Sequence, residues 1–312
     1  MTVKVLICDP IHEDGIKRIE SAGLAVDYRP EITQDELSHM IGEYEALIVR
    51  SRTKLGKNLL KKAKKLKLIV RAGVGLDNID VDTARKLGIK VVNTPAALTN
   101  AVAELALGLI ICLARRINFC DLEMKKGKWV KKKAIGMEIS GKILGIVGFG
   151  RIGRCLAEKA LALGMKVIAY DIIEIPDRYL RMGVISAKKI DDVFKNADFI
   201  SLHVPLTKET YHLVGEELLS KMKKTAFLIN TSRGAVVDSK ALKKFLEEGK
   251  IAGAALDVFE VEPPGKDELI MMNNVVATPH IGGQTVEAQR KAALMAADEI
   301  INFFKGERLF SR

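Results

Sequence analysis

The segment KILGIVGFGRIGRCLAEKALALGMKVIAYD, residues 142–171, decides the fold of this chain. Its pattern predicts an apolar strand over residues 142–147, a glycine-rich turn, a helix over 151–163 and a second strand over 166–170. Gly148, Gly150 and Gly153 have the spacing G-x-G-x-x-G, and the second strand ends at Asp171. A lone glycine motif is weak evidence, but this strand–turn–helix–strand context is typical of a dinucleotide-binding unit.

The chemistry of this unit favours NAD over NADP. The glycines let the backbone approach a pyrophosphate, and the helix N-terminus offers N–H groups and the positive end of its dipole. Asp171 lies 18 residues after Gly153, close to the ~20 expected for the acid that binds the ribose hydroxyls. A carboxylate there repels a 2′-phosphate. The next two residues are Ile172 and Ile173, so no arginine follows that could bind one. A glycine turn without a ligand is the alternative.

Strand-like and helical runs alternate on both sides of this unit. This alternation predicts an α/β protein made of two doubly wound parallel sheets. The predicted strands outside the unit cover residues 3–9, 25–29, 46–50, 66–72, 90–94, 199–204, 226–230, 254–258 and 275–278. Long helical patterns cover residues 101–120 and 285–304. A length of 312 residues fits two domains, each with its own core.

Composition excludes several classes of protein. The net charge is +11, but the lysines are scattered over helix faces and aromatic residues make up only 5%, so we expect no nucleic-acid partner. The N-terminus resembles a first strand rather than a signal peptide. The most apolar stretch, residues 105–114, is shorter than the ~20 residues of a membrane helix. The four cysteines lack metal or redox spacing, so we expect reduced thiols, no metal and a cytoplasmic location.

Three segments after predicted strands carry candidate catalytic residues: NTSRGAVVD (230–238), LDVFEVEPP (256–264) and ATPHIGG (277–283). Oxidising a 2-hydroxy acid beside NAD requires a base for the hydroxyl proton, a cation for the carboxylate and a group that orients the base. His280 suits the base, because imidazole titrates near neutral pH. Arg233 suits the carboxylate clamp, and Glu262 suits a partner that favours the imidazolium form.

Each of these residues also has an ordinary structural explanation. Arg233 could cap a strand end, Glu262 could be an exposed turn acid, and His280 could be a loop histidine. All three, however, follow strands of a parallel sheet, and such sheets bind ligands beyond their carboxyl ends. We therefore expect them to converge. Asp257, also at a strand end, is a candidate to bind the nicotinamide carboxamide.

The chain resembles the D-isomer-specific 2-hydroxyacid dehydrogenase family from about Val3 to the last helix. The resemblance is carried by LIVRSRTK (47–54), RAGVGLDNID (71–80), NTP (93–95), residues 125–153, LHVPLTKET (202–210) and the three catalytic segments. It implies a flavodoxin-like substrate domain from residues 1–98 and 286–312, and a Rossmann NAD domain from residues 99–285. It also implies NAD contacts at Gly148, Gly150, Arg151, Ile152, Gly153, Asp171, Val204, Pro205, Thr231 and Asp257.

The substrate depends on residues outside the NAD domain. The resemblance implies that Arg50 and Arg71 bind substrate, that the Val74–Gly75 turn offers N–H groups to its carboxylate, and that Lys131 acts from a neighbouring subunit. These cations favour a phosphorylated acid, so we expect oxidation of D-3-phosphoglycerate for serine biosynthesis. Ion pairing at the surface is the alternative for both arginines. Two alternatives stay open: reduction of glyoxylate, hydroxypyruvate or pyruvate (to D-lactate), and a non-catalytic role as an NAD-sensing binding protein.

A homodimer through residues 101–133 is also expected. The segment is apolar and holds the single tryptophan, Trp129, and a lysine acting across subunits requires a closed assembly. The alternative is that this apolar segment only fills the core between the two domains. The choice between dimer and tetramer stays open. We also expect the C-terminal serine-sensing domain of longer relatives to be absent, and therefore no serine feedback by that route.

Overall fold

The computed structural model describes residues 2–307 and divides into two units. One unit consists of the residues up to Leu98 together with those from Gly283 onward, and the other is Thr99–Gly282. The last helix therefore belongs with the first hundred residues. Both units are α/β structures built on a parallel sheet.

The first unit has a five-stranded sheet of order β2-β1-β3-β4-β5, the flavodoxin-like order. Its strands are β1 (Lys4–Ile7), β2 (Ala25–Tyr28), β3 (Ala46–Val49), β4 (Leu68–Arg71) and β5 (Lys90–Asn93). Its helices are α1 (Glu13–Ser21), α2 (Gln34–Met40), α3 (Lys57–Leu60), α4 (Val81–Lys86) and the terminal α12 (Val286–Lys305). Helix α12 buries Ala292, Ala296 and Ile300 in one core with β1, β3 and β4, because these small and branched residues share one helix face.

The second unit has a seven-stranded sheet of order β12-β11-β10-β9-β6-β7-β8. Its strands are β6 (Ile143–Val147), β7 (Lys166–Tyr170), β8 (Val184–Ser186), β9 (Phe199–Leu202), β10 (Phe227–Asn230), β11 (Gly253–Leu256) and β12 (Val275–Ala277). Its helices are α5 (Pro95–Arg115), whose first turn lies in the first unit, α6 (Ile117–Lys125), α7 (Arg151–Ala162), α8 (Asp177–Arg181), α9 (Ile190–Asn196), α10 (Glu216–Leu219) and α11 (Ser239–Glu247). The order in which the chain adds strands to the sheet reverses between β6 and β9. The carboxyl ends of these two strands are therefore the expected ligand crevice.

The helix predicted over residues 101–120 differs from the structure at both ends. Helix α5 begins at Pro95, because proline fits the first turn of a helix. It ends at Arg115, and Arg116 has a left-handed φ of 54° before α6 begins. The prediction also missed β8, since this edge strand is three residues long and two of them are exposed.

Helix α5 is long and apolar enough to cross a membrane by length and composition alone. The expectation that no apolar stretch reaches that length was wrong, because the helix starts earlier than its most apolar part. In the second unit, Ala106, Leu109 and Ile110 of this helix pack in the same core as Leu144 and Ile146 of β6. Core helices of globular proteins commonly have this composition. Less than half of its most apolar stretch is buried.

Candidate active site

The glycine-rich loop after β6 has the geometry of a dinucleotide site. Gly148 has φ 92°, and a Cβ on it would lie 2.5 Å from the carbonyl oxygen of His203. A Cβ on Gly153 would lie 2.3 Å from the Gly148 carbonyl oxygen. At Gly150, in contrast, a Cβ would meet nothing within 4 Å. The fold itself therefore requires Gly148 and Gly153, whereas Gly150 leaves open space for a pyrophosphate.

The start of α7 also fits an anionic ligand. Gly150 is its N-cap and provides no side-chain hydrogen bond to the first turn, which contains Arg151 and Ile152. The N–H groups of this turn and the helix dipole point toward the open space beside Gly150. The residues of this loop thus fit the pyrophosphate of NAD.

Asp171 stands at the end of β7 in a fixed orientation. Its carboxylate accepts hydrogen bonds from the N–H groups of Phe149 (2.5 Å) and Ile173 (3.0 Å). The side chains of Ile172 and Ile173 are exposed. The carboxylate is thereby tied to the glycine-rich loop, and its charge disfavours a 2′-phosphate in the same place.

The remaining predicted cofactor residues lie at the same edge of the sheet. Val204 and Pro205 follow β9 after one intervening residue, His203, and Thr231 is buried directly after β10. Asp257 directly follows β11 and is 1% exposed. The structure thus places all of them at the carboxyl ends of the strands, where a doubly wound sheet binds its ligand.

Glu262 and His280 form a hydrogen-bonded pair. His280 Nδ1 lies 2.7 Å from Glu262 Oε2, and Glu262 Oε1 accepts from the Phe259 N–H at 3.1 Å. Burial alone would raise the pKa of Glu262, but the hydrogen bonds from His280 and Phe259 outweigh it, with help from the charge of Arg233. The pKa of Glu262 therefore lies below its ordinary value, and Glu262 is a carboxylate at neutral pH.

This pairing fixes which nitrogen of His280 can exchange a proton. A carboxylate can only accept hydrogen bonds, so Nδ1 must carry a hydrogen toward Glu262. Nε2 is then the nitrogen left to take a proton from a hydroxyl or return it. The structure brings both residues together as the sequence predicts.

The turn that carries Arg233 is ordered by a buried asparagine. Asn230 Oδ1 accepts from the Ser232 N–H at 3.0 Å, and Asn230 Nδ2 donates to the Arg233 carbonyl at 2.9 Å. Asn230 is 1% exposed. The Arg233 guanidinium donates to the Ser232 carbonyl at 2.7 Å. The neighbouring Gly234 packs against the backbone of Phe259 and Glu260, so the turn of the third predicted catalytic residue lies against the Glu262 segment.

Asp257 holds the His280 turn, a task the sequence analysis did not anticipate. Its carboxylate accepts from the Thr278 hydroxyl (2.6 Å) and from the N–H groups of Ile281 (2.8 Å) and Gly282 (2.9 Å). His280 itself has a left-handed φ of 52° and donates its N–H to the Asp257 carbonyl. These bonds hold a backbone conformation that histidine seldom adopts. Binding of the carboxamide by Asp257 stays a prediction.

In the first unit, a buried carboxylate organises the loop that carries Arg50. Asp9 is 1% exposed and accepts from the Arg50 N–H, from Arg52 Nε at 3.0 Å and from the Thr53 hydroxyl at 2.8 Å. Burial lowers the pKa of Arg50, and the charge of Asp9 opposes this shift. Arg52 is thus a structural cation, whereas Arg50 donates to the Pro10 carbonyl at 3.1 Å. Nothing in the sequence pattern had identified Asp9.

The other predicted substrate residues occupy loops. Arg71 ends β4, and its guanidinium lies directly over Gly73. Val74 and Gly75 follow in the same turn, where the Val74 carbonyl accepts from Asn93 Nδ2 at 2.6 Å. Lys131 begins an exposed 3₁₀ turn, Lys131–Lys133, in the second unit. Within residues 2–307, no group of three His, Cys, Asp or Glu could hold a metal ion.

Comparison with known proteins agrees with this geometry. The family model "D-isomer specific 2-hydroxyacid dehydrogenase, NAD binding domain" matches residues 107–282. The D-3-phosphoglycerate dehydrogenase of Methanocaldococcus jannaschii is 46% identical over 98% of this chain. The chain spans only 58% of that relative's length.

Other relatives match over nearly their whole length. The hydroxypyruvate reductase of Thermotoga maritima is 44% identical, with 95% of this chain and 97% of the relative covered. The glyoxylate reductase of Thermococcus litoralis is 46% identical, with 98% and 95% covered.

Solved structures show the same fold. A glyoxylate reductase from Paecilomyes thermophila superposes with a TM-score of 0.91 at 31% identity, covering 99% of this chain and 98% of that one. A D-lactate dehydrogenase from Aquifex aeolicus, complexed with NAD and lactic acid, has a TM-score of 0.85 at 33% identity, covering 97% and 96%. From the glycine loop, the histidine–carboxylate pair and these matches together, the chain belongs to the D-isomer specific 2-hydroxyacid dehydrogenase family.

Proposed function

We propose that this chain is an NAD-dependent dehydrogenase that oxidises D-3-phosphoglycerate at C2 to 3-phosphohydroxypyruvate. The observation that carries the proposal is the 2.7 Å pair of His280 and Glu262, with the Arg233 turn packed against the Glu262 segment, on an NAD-binding sheet. NAD supplies the acceptor for the hydride that leaves C2. His280 Nε2 takes the hydroxyl proton, and Glu262 stabilises the imidazolium that results. Arg233 binds the carboxylate and polarises the forming carbonyl.

The choice of a phosphorylated acid rests on the supply of cations. A phosphate dianion needs positive groups beyond the one that binds the carboxylate. Arg50 and Arg71 stand at strand ends of the first unit, and Lys131 stands in an exposed lysine turn. The relative named D-3-phosphoglycerate dehydrogenase supports the same substrate. The reaction would then be a cytoplasmic step of serine synthesis.

Reduction of glyoxylate or hydroxypyruvate is the second candidate. It is favoured by the two reductases that match this chain at 44% and 46% identity. The two candidates share one catalytic apparatus and differ in whether a phosphate is bound. Their substrate preferences therefore separate them, whereas loss of activity in a His280 variant would not.

A steady-state comparison tests the proposal. We expect kcat/KM for 3-phosphohydroxypyruvate with NADH to exceed that for hydroxypyruvate, glyoxylate and pyruvate. Arg71→Gln and Lys131→Gln should lower this preference, because they remove charge and keep much of the side-chain length. Lys132→Gln, in the same 3₁₀ turn, is the matched control. A preference for glyoxylate or hydroxypyruvate would establish the second candidate, and no turnover of any keto acid would favour an NAD-sensing binding protein.

We further propose a homodimer through residues 101–133. Support comes from exposed apolar side chains in this segment: Trp129 is 79% exposed, and Ile117, Leu122 and Met124 are each about half exposed. Isolated exposed apolar residues are ordinary, but four of them within residues 117–129 favour an interaction surface there. Sedimentation should give twice the chain mass, and Trp129→Glu should reduce it to one chain. A wild-type monomer at assay concentration would contradict the dimer.

A further inference from the structure

His212 lies in the loop between β9 and α10, outside the predicted catalytic set, and contacts two catalytic segments at once. Its backbone N–H donates to the Ala235 carbonyl at 2.8 Å, in the turn that begins at Arg233. Its side-chain Nε2 lies 3.0 Å from Glu260 Oε2, two residues before Glu262. The backbone of His212 thus touches one catalytic segment, and its imidazole touches the other.

Glu260 is held from a second side as well. Its Oε1 accepts from the Ser239 N–H at 3.0 Å, at the first residue of α11. Burial alone would raise the pKa of Glu260, but the hydrogen bonds from His212 and Ser239 hold it below the ordinary value. Glu260 is therefore a carboxylate that joins a loop and a helix start. We call His212, Glu260 and Ser239 the clamp.

The clamp lies where the Glu262 segment packs against the Arg233 turn. A Cβ placed on Gly234 would lie 1.9 Å from the Phe259 carbonyl carbon and 2.4 Å from the Glu260 nitrogen. The two backbones are therefore in direct contact beside Arg233. Phe259 in turn donates its N–H to Glu262 Oε1. A displacement of residues 259–260 would therefore move the N–H group that binds the Glu262 carboxylate.

His212 has an uncommon backbone conformation and several side-chain neighbours. Its φ of 49° lies in the left-handed region, which non-glycine residues seldom occupy. The ring stacks on Tyr211 with centroids 4.1 Å apart, and its Nδ1 lies 3.9 Å from Asp238 Oδ2. Two carboxylates and one aromatic ring thus surround the imidazole and fix its direction.

We propose that His212 is a positioning residue, which through Glu260 holds the catalytic Glu262 at the distance from His280 that proton transfer requires. The inference goes beyond the proposed reaction but rests on the roles proposed there for Glu262 and His280. A displacement of about 1 Å in a reacting group can cost up to about a hundredfold in rate. The clamp is partly exposed and acts on the reacting groups only through Glu262. We therefore expect about a tenfold loss of kcat when it is broken.

The test uses His212→Asn in the full chain, because asparagine tolerates a left-handed φ but is too short to reach Glu260. We expect kcat for hydroxypyruvate with NADH to fall about tenfold, with KM for NADH unchanged. His212→Gln, which can still donate to Glu260, should recover most of the rate. The double variant His212→Asn with Glu260→Gln should be no slower than the slower single variant, since both changes break one contact.

The matched control is Glu268→Gln. Glu268 lies in the same loop and is tied to Lys243 of α11, but it lies beyond Glu262. Its kcat should stay within about twofold of wild type. Unchanged kcat in both His212→Asn and Glu260→Gln, or a loss in Glu268→Gln of the same size, overturns the clamp. A wild-type chain that turns over no keto acid overturns the proposed function as well.

Discussion

Glu262→Gln removes the carboxylate that accepts from His280 Nδ1 and nearly keeps the shape of the side chain. In the proposed direction of keto-acid reduction, His280 donates a proton to the substrate from Nε2. Without the carboxylate, the charge-assisted hydrogen bond that orients the ring is lost. The rate of NADH-dependent reduction should therefore fall in the variant.

The size of this loss follows from the geometry. A charge-assisted hydrogen bond contributes about 1.5–3 kcal/mol, and the His280 Nδ1–Glu262 Oε2 contact is 2.7 Å long. The two side chains are 46% and 38% exposed, so water screens the pair. The lower end, about 1.5 kcal/mol, is therefore appropriate. Since about 1.4 kcal/mol corresponds to a factor of ten in rate, we expect kcat/KM to fall about tenfold.

The assay is kcat/KM for hydroxypyruvate, followed by NADH absorbance with NADH saturating. The Glu268→Gln variant controls for removal of a carboxylate from the same loop and should keep kcat/KM within about twofold of wild type. NADH affinity, measured by fluorescence, should be unchanged in both variants. A kcat/KM in Glu262→Gln within about twofold of wild type would refute the reasoning.

Three further predictions concern the cofactor loop and the core of the first unit. Gly150→Ala should fold normally and bind NADH about tenfold more weakly. Gly153→Ala should lower the melting temperature, because only the Cβ at residue 153 meets backbone within 3 Å. Equal melting temperatures of the two variants would contradict this. Asp171→Asn should narrow the preference for NADH over NADPH about tenfold in fluorescence titrations, since the charge that repels a 2′-phosphate is gone; an unchanged ratio would count against that role. Asp9→Ala should lower the free energy of unfolding by about 3 kcal/mol in urea, because buried hydrogen bonds to an arginine, a threonine and the backbone are lost; a loss under about 1 kcal/mol would contradict this.

Local patterns predicted the centre of the fold closely. The strand expected over residues 142–147 is Ile143–Val147, and the helix expected over 151–163 is Arg151–Ala162. Glycine spacing and apolar periodicity act over a few residues, so the sequence displays them directly. Elements that depend on packing were harder to predict. The exposed edge strand Val184–Ser186 carries no apolar alternation, and the break at Arg116 carries no glycine or proline.

In the candidate site, too, the sequence showed some residues and not others. Arg233, Glu262 and His280 could be named as candidates because each follows an apolar strand and has the chemistry that a hydroxy acid requires. Their supports could not be identified. Asp257 and His212 act through backbone groups or side chains 20 to 50 residues away in sequence, and no sequence spacing records such contacts.

The sequence by itself determined the kind of chemistry, because the glycine motif, Asp171 and the three catalytic residue types are properties of short segments. Only the tertiary structure decided how those groups are held. Parallel strands β10, β11 and β12 bring three separate segments to one edge, where a hydrogen bond donated by Asn230 and one accepted by Asp257 fix the turns. The physical reason is that a side chain's direction and protonation depend on its neighbours in space, which come from distant parts of the chain.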